Sequence, residues 1–273
     1  MRAYLELVRA PAALSVPGDA VAGAAAAGVL GARTVGLAAS SVCLYWAGMA
    51  ANDWADREID AKERPERPIP SGRVGVDTAR NVAVGLTAAG LGIAALAGGL
   101  RIAAPLAATV WAYDTWLKNT PAGPAAMAAC RGLDVLLGAT PGRVRTALPA
   151  AAVIASHTYL LTELSRREVD GADPRLPTAT LAGTAALAAV VATANPTSAA
   201  LAARYVNGFG RAQLAAVRDP SAPAIRAAVG AGITGLPSLQ GALVARAGYP
   251  LVGALIAAAA PLGRRLARLV SPT

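Results

Sequence analysis

Apolar stretches separated by short polar segments follow one another from residue 12 almost to the end of the chain. Crossing a bilayer takes about 20 mostly apolar residues. The pattern predicts spanning helices at 12–31, 34–52, 77–99, 101–117, 123–141, 147–163, 177–195, 198–215, 223–245 and 249–268. Arg204, Asn207 and Arg211 interrupt the eighth, so nine or ten spans fit equally well on length. Glycine and proline punctuate the ends, at Gly98-Gly99, Pro121, Pro141-Gly142, Pro196 and Gly248 with Pro250. The expected fold is all-α, a polytopic membrane bundle of nine or ten helices around a central cavity. It is read as a single integral-membrane domain over residues 1–273. Arg2 and Arg9 precede the first span without a clear small-residue cleavage site, which predicts a retained span rather than a signal peptide.

Composition strengthens this reading. Of 273 residues, 55% are hydrophobic and 15% charged, with a mean hydropathy of +0.47, whereas soluble domains carry about a quarter charged residues. Alanine and glycine abound and aromatics make up 4%, a bias that lets helix backbones approach closely in lipid. The net charge of +9 is attributed to loop bias rather than to nucleic-acid binding. Cys43 and Cys130 fall inside apolar runs and suit buried thiols better than a disulfide or metal pair. His157, the lone histidine, is read as a packing or hydrogen-bonding group inside a helix.

Charge also sets the orientation. Arg2, Arg9, the five basic residues of 52–75, Lys118, Arg166, Arg167 and Arg175 fall on one side of the predicted bundle. Only Arg33, Arg101, Arg143 and Arg145 fall on the other across the first six helices. The richer side is expected to face the cytoplasm from the plasma membrane. Loops 52–75, 118–123 and 163–177 then emerge together, so their polar groups can converge over a single cavity.

The first of these loops carries the most pointed chemistry. Asn52-Asp53-Trp54-Ala55-Asp56-Arg57-Glu58-Ile59-Asp60 runs on to Arg67-Pro68-Ile69-Pro70-Ser71-Gly72-Arg73. Asp53, Asp56 and Asp60 stand at i, i+3 and i+7, steps that return to nearly the same face of a helix. Clustered carboxylates repel one another unless a cation joins them, and hard oxygen ligands suit Mg²⁺. Lys62, Arg64, Arg67 and Arg73 follow at once, adding partners for phosphate. A solvated helix face is the plain alternative, but position at the membrane edge favours a diphosphate site. Within the spans, Asp19, Arg131 and Asp134 are expensive in lipid and are expected either to face an inner cavity or to form a structural pair.

The segment resembles the first aspartate-rich motif of the UbiA superfamily of intramembrane prenyltransferases, NDxxDxxxD followed by RPxPSG. Leu7-Val8-Arg9-Ala10-Pro11 resembles that family's opening Arg-Pro region with one residue inserted. Tyr113-Asp114-Thr115-Trp116-Leu117-Lys118 resembles its Tyr…Lys segment, and Arg131-Gly132-Leu133-Asp134 falls in the fifth helix. The family's second motif, DxxxD, is altered. Here it reads Glu163-Leu164-Ser165-Arg166-Arg167-Glu168-Val169-Asp170, with Glu163 in place of the first acid and Arg167 of the second. This departure resembles EboC-like members of the superfamily. Glu163 and Arg167 can form an ordinary i,i+4 ion pair, or Arg167 can touch diphosphate directly and replace one metal ion. Glu168 and Asp170 offer carboxylates in a shifted register.

The resemblance implies Mg²⁺-dependent transfer of a prenyl group from a polyprenyl diphosphate to a small-molecule acceptor, expected to be aromatic. Asp53, Asp56, Asp60 and Glu163 would be the metal-binding and catalytic acids. Asn52, Arg67, Lys118, Arg131 and Arg167 would contact the diphosphate, with Asp19, Tyr113 and Asp134 as polar groups of the cavity. The alternative is a non-catalytic membrane protein of the same fold that binds or moves an isoprenoid or lipid-like metabolite. A transporter unrelated to prenyl chemistry is disfavoured, because the two halves show no repeated broken helices.

Overall fold

The computed structural model describes residues 2–10 and 15–258. Twelve α-helices make up the described chain, with no strand among the described residues. They are α1 (Arg2–Leu7), α2 (Pro17–Ala26), α3 (Ala32–Ala55), α4 (Arg57–Glu63), α5 (Val76–Ala97), α6 (Leu100–Ala112), α7 (Gly123–Gly138), α8 (Leu148–Ser165), α9 (Arg175–Ala192), α10 (Pro196–Tyr205), α11 (Arg211–Arg218) and α12 (Ala222–Arg246). Residues 250–258 are helical too, and the rest of the span expected at 249–268 lies outside the described residues. So does the start of the first expected span, at 12–14.

The helix ends follow from local chemistry. Proline stands in the first turn of α2, α7, α8, α10 and α12, where its missing N–H has no intrahelical partner to lose. Gly98 closes α5 in the left-handed conformation at φ 82°, the usual role of glycine just past a helix. Asn195 caps α10 by accepting from the Ser198 backbone N–H, and its amide donates to Ala245 O at 2.7 Å, tying α10 to the end of α12.

Two departures from the expected pattern matter. The fourth span does not stay α-helical to its end: Tyr113–Leu117 form a π turn, in which the Lys118 N–H bonds Tyr113 O. The segment expected as the eighth span is helical despite its polar residues, with a second π turn at Val206–Gly210 joining α10 to α11. Such single-turn insertions are frequent at functional sites.

Packing is led by small residues. α2 and α7 approach so closely that a Cβ on Gly23 would strike Val135 O, and one on Gly138 would strike Ala20 O. Backbone contact of this kind substitutes for the absent hydrophobic drive between helices in lipid. It brings α2 residue Asp19 beside α7 residue Arg131. The four loops that follow α3, α6, α8 and α11 meet at one end of the bundle. Lys118 bonds Asp56, Arg166 donates to Thr120 O at 2.7 Å, and Arg226 donates to Glu168 O at 2.7 Å. These loops form a polar cap over the helices.

Candidate functional site

The cap is built first by the break between α3 and α4. α3 ends at Ala55, Asp56 takes a non-helical φ,ψ of −87°, 2°, and α4 starts at Arg57. The Asp60 N–H still bonds Asp56 O at 2.8 Å, so the chain continues nearly in line. Asp53 and Asp60 therefore stay on a common face, and both are buried, at 4% and 2% exposure. The break gives Asp56 a separate partner.

Arg67 bridges Asp53 and Asp60, the first and third acids of the motif. Its Nη1 lies 2.5 Å from Asp60 Oδ2 and 3.4 Å from Asp53 Oδ1. The turn that follows aims it. Ser71 donates from its hydroxyl to Arg67 O at 2.6 Å, Val74 N–H bonds Pro68 O at 2.9 Å, and Gly72 adopts φ 72°. Only glycine takes that backbone readily, which explains the last residue of the Arg-Pro-Ile-Pro-Ser-Gly run. Arg73 anchors the same turn to α1 through Glu6 Oε2 at 2.5 Å.

Arg9, just past α1, reaches Asp53 Oδ1 at 2.7 Å. Its backbone is left-handed at φ 44°. For a non-glycine residue that conformation costs about 1–3 kcal/mol, a strain that clusters at ligand clamps. Arg9 was visible in the Arg-Pro segment of the sequence but not singled out as a site residue. Arg9 and Arg67 thus converge on one oxygen of one buried carboxylate.

A second set of contacts joins α3 to the π turn. Asn52 Nδ2 donates to Asp114 Oδ1 at 3.1 Å, and one turn further on Lys118 Nζ meets Asp56 Oδ2 at 2.7 Å. The two helices run the same way, so residues 52 and 56 face 114 and 118 as parallel rungs. Tyr113, which opens the turn, is half-buried. Asp114 is buried at 6% exposure. An acid at the end of an apolar run was the signal that could have marked it.

The remaining expected residues lie elsewhere. Arg131 stands eight residues into α7, about 12 Å along the helix from its cap-side end. It is engaged inside the bundle: Nε is 2.7 Å from Asp19 Oδ2, and the guanidinium lies 5.6 Å over the Tyr45 ring. Gln240 of α12 donates to Asp19 Oδ1 at 2.6 Å, and Ser41 hydrogen-bonds Asp134. Asp19, Arg131 and Asp134 thus belong to one buried polar group below the cap. In the second acidic loop, Glu163 is half-buried and lies against the Tyr159 hydroxyl one turn earlier, while Arg167 is exposed. The i,i+4 ion pair that their spacing allows does not form.

Among the described residues, no three acidic, histidine or cysteine side chains gather closely enough to hold a metal ion. The cap instead pairs Asp53, Asp56 and Asp60 each with a cation. Its donor chemistry nevertheless suits a hard divalent ion: Asp53, Asp56 and Asp60 offer only oxygen, with the Asn52 amide adjoining them. The balancing cations Arg9, Arg67 and Lys118 are themselves phosphate partners.

An all-helical bundle capped by buried, cation-paired aspartates has the architecture of an integral membrane protein. Residues 14–271 match the UbiA prenyltransferase family, and the chain belongs to it. It is 42% identical over 124 residues to a digeranylgeranylglyceryl phosphate synthase from Ignicoccus hospitalis, which is 44% of this chain and 40% of that one. It is 44% identical over 128 residues to a protein of the same name from Methanopyrus kandleri, again 44% of this chain and 46% of that one. The matching stretch thus spans less than half the length of these relatives. A chloroplastic chlorophyll synthase from Oryza sativa is 40% identical over 81 residues, 27% of this chain and 22% of that one. Among solved structures, the apo form of a UbiA homolog from Aeropyrum pernix superimposes with a TM-score of 0.66 at 17% identity, covering 89% of this chain and 98% of that one. That likeness concerns the fold alone.

Proposed function

We propose that the protein transfers a prenyl group from a polyprenyl diphosphate to a small-molecule acceptor, with Mg²⁺ as cofactor, at the membrane surface of the cap. The observation that carries this reading is the buried Asp53 carboxylate shared by Arg9 at 2.7 Å and Arg67 at 3.4 Å. Such an arrangement keeps acids and cations preorganised at one point without water between them, which favours charge developing on a departing group. On this reading the cap faces the cytoplasm, as the basic loops suggest.

Asp53, Asp56 and Asp60, with Asn52 beside them, would hold the metal, and Glu163 would approach from the second loop. When bound, Mg²⁺ supplies Lewis-acid neutralisation of the diphosphate oxygens. Arg9, Arg67 and Lys118 would exchange carboxylate partners for phosphate oxygens as the head group arrives, with Arg167 added from the second loop. The prenyl tail would lie between the helices below. As the carbon–oxygen bond to diphosphate breaks, both electrons leave with the diphosphate, and the guanidinium and ammonium groups stabilise that charge. The acceptor nucleophile then bonds the allylic carbon and gives up its proton.

An aromatic acceptor is the class expected from the sequence. The relatives named for digeranylgeranylglyceryl phosphate add a lipid phosphate bearing a free hydroxyl as a second class. The test uses purified protein in lipid nanodiscs with Mg²⁺, labelled polyprenyl diphosphates of several lengths, and a panel holding both acceptor classes. Diphosphate release coupled to a prenylated product, lost in Asp53→Ala, is the expected result. Tight binding of the diphosphate with no turnover on any acceptor would instead support a non-catalytic isoprenoid-binding protein. The altered second loop is the observation that keeps that reading in play.

A further inference from the structure

A groove of about 590 Å³ runs between α9 and the α10–α11 segment, on the outer face of the bundle. Its walls are apolar, from Leu181 and Ala188 on one side to Ala202, Val206 and Leu214 on the other. Its volume falls within the roughly 300–1,000 Å³ typical of small-ligand sites. Two polar side chains enter it, Asn207 and Arg211, both carried by or next to the π turn of Val206–Gly210. Arg211 is exposed and has no ion-pair or hydrogen-bond partner among the described residues. It stands seven residues from the cap-side end of its helical segment, about 10 Å along the axis, below the cap and on an exposed face.

An arginine at that depth is costly unless it snorkels or finds an anion. No acid lines the groove to supply one. A second copy of this chain, docked symmetrically, would set arginine against arginine. The apolar walls of the groove suit a hydrocarbon chain, and its single charge lies nearer the cap-side end of α10–α11 than the far end. We propose that this groove holds an anionic phospholipid of the surrounding bilayer, with one acyl chain between α9 and α10–α11 and the phosphate on Arg211. The inference depends on the membrane setting and not on prenyl transfer.

Arg204 provides the internal control. It is also exposed and without an ion-pair partner among the described residues, but it does not line the groove. The experiment is native mass spectrometry of protein reconstituted with equal phosphatidylglycerol and phosphatidylcholine, then stripped with increasing detergent. The expected result is one retained phosphatidylglycerol. Arg211→Gln lowers its apparent affinity about tenfold, the scale of one charge-assisted contact. Arg204→Gln leaves it unchanged. Ala203→Trp, which fills the groove from an exposed position and keeps the charge, displaces the lipid even if Arg211→Gln fails to fold. Equal retention of the two lipids, equal loss in the two arginine variants, or a dimer that Ala203→Trp disrupts without any bound lipid would each overturn the proposal.

Discussion

The two acidic loops at the cap are built on opposite principles. In the first, Asp53 and Asp60 are buried, each within reach of Arg67, while Asp56 meets Lys118. In the second, Glu163 lies against a neighbouring tyrosine, Arg167 is exposed, and the loop holds to the cap through backbone carbonyls at Thr120 and Glu168. Burial makes the difference consequential. A charge taken out of water interacts strongly with its neighbours, whereas an exposed pair contributes little after screening. The structure therefore concentrates electrostatic leverage in the first loop and gives the second a lighter role. Removing charge from each should reveal the asymmetry.

The largest effect is expected at Asp53. Asp53→Ala leaves Arg9 and Arg67 without their shared acid and removes a proposed metal ligand, so prenyl transfer should fall by about 10³-fold or more, at the upper end of what single preorganised groups supply. Diphosphate release under saturating substrate measures it. A variant retaining a tenth of wild-type rate would show that the first loop does not carry the chemistry. Next comes Arg67→Lys. Lysine keeps the charge but not the fork that reaches two carboxylates at once, and a drop of about 10²-fold is expected in kcat/KM. Full activity in this variant would mean that charge alone is required there, and that the Arg67 bridge is incidental.

The reach of sequence reasoning follows the same divide. The helices were legible because lipid imposes one rule, a continuous apolar run with its backbone bonds satisfied within the segment, and observed boundaries fall within a few residues of those expected, as for α5 at Val76–Ala97. The aspartate-rich loop was legible because its spacing is local. What stayed hidden was long-range. Nothing in the order of residues tells that Arg9 meets Asp53 across 44 positions, or that Asp114 pairs with Asn52 across 62. The resemblance implied a phosphate contact for Arg131, whereas the cost of its charge in lipid also allowed a buried structural pair; the close approach of Gly23 and Gly138 shows why α7 delivers it to Asp19. The π turn at Tyr113–Leu117 was equally unreadable, since no residue in it forbids an ordinary helix.

A smaller effect tests the rungs that join α3 to that turn. Asp114→Asn keeps the shape of the Asn52 partner while removing a buried negative charge. Activity should fall about tenfold, because Lys118 loses the attraction of the nearby Asp114 carboxylate, while the Asn52 hydrogen bond, which asparagine can still accept, holds the change in stability to about 1 kcal/mol. Turnover and thermal unfolding in detergent would be followed together. Equal losses in both would reassign Asp114 to folding rather than to placing Lys118.

The smallest effect is expected in the second loop. Arg167→Gln removes an exposed cation that forms no ion pair with Glu163, so the folded protein should keep its thermal midpoint. If Arg167 joins the diphosphate only after binding, the loss appears in KM for the prenyl donor, about threefold, consistent with the modest worth of a solvent-screened contact, with kcat nearly unchanged. Glu163→Gln should follow the same pattern, and combining the two should give no more than the product of the single effects, since nothing couples them in this structure. A fall of 10²-fold in kcat for Arg167→Gln would erase the asymmetry between the loops. It would place an exposed arginine on the same footing as the buried Asp53, which could happen only if substrate binding drew the second loop inward and buried it.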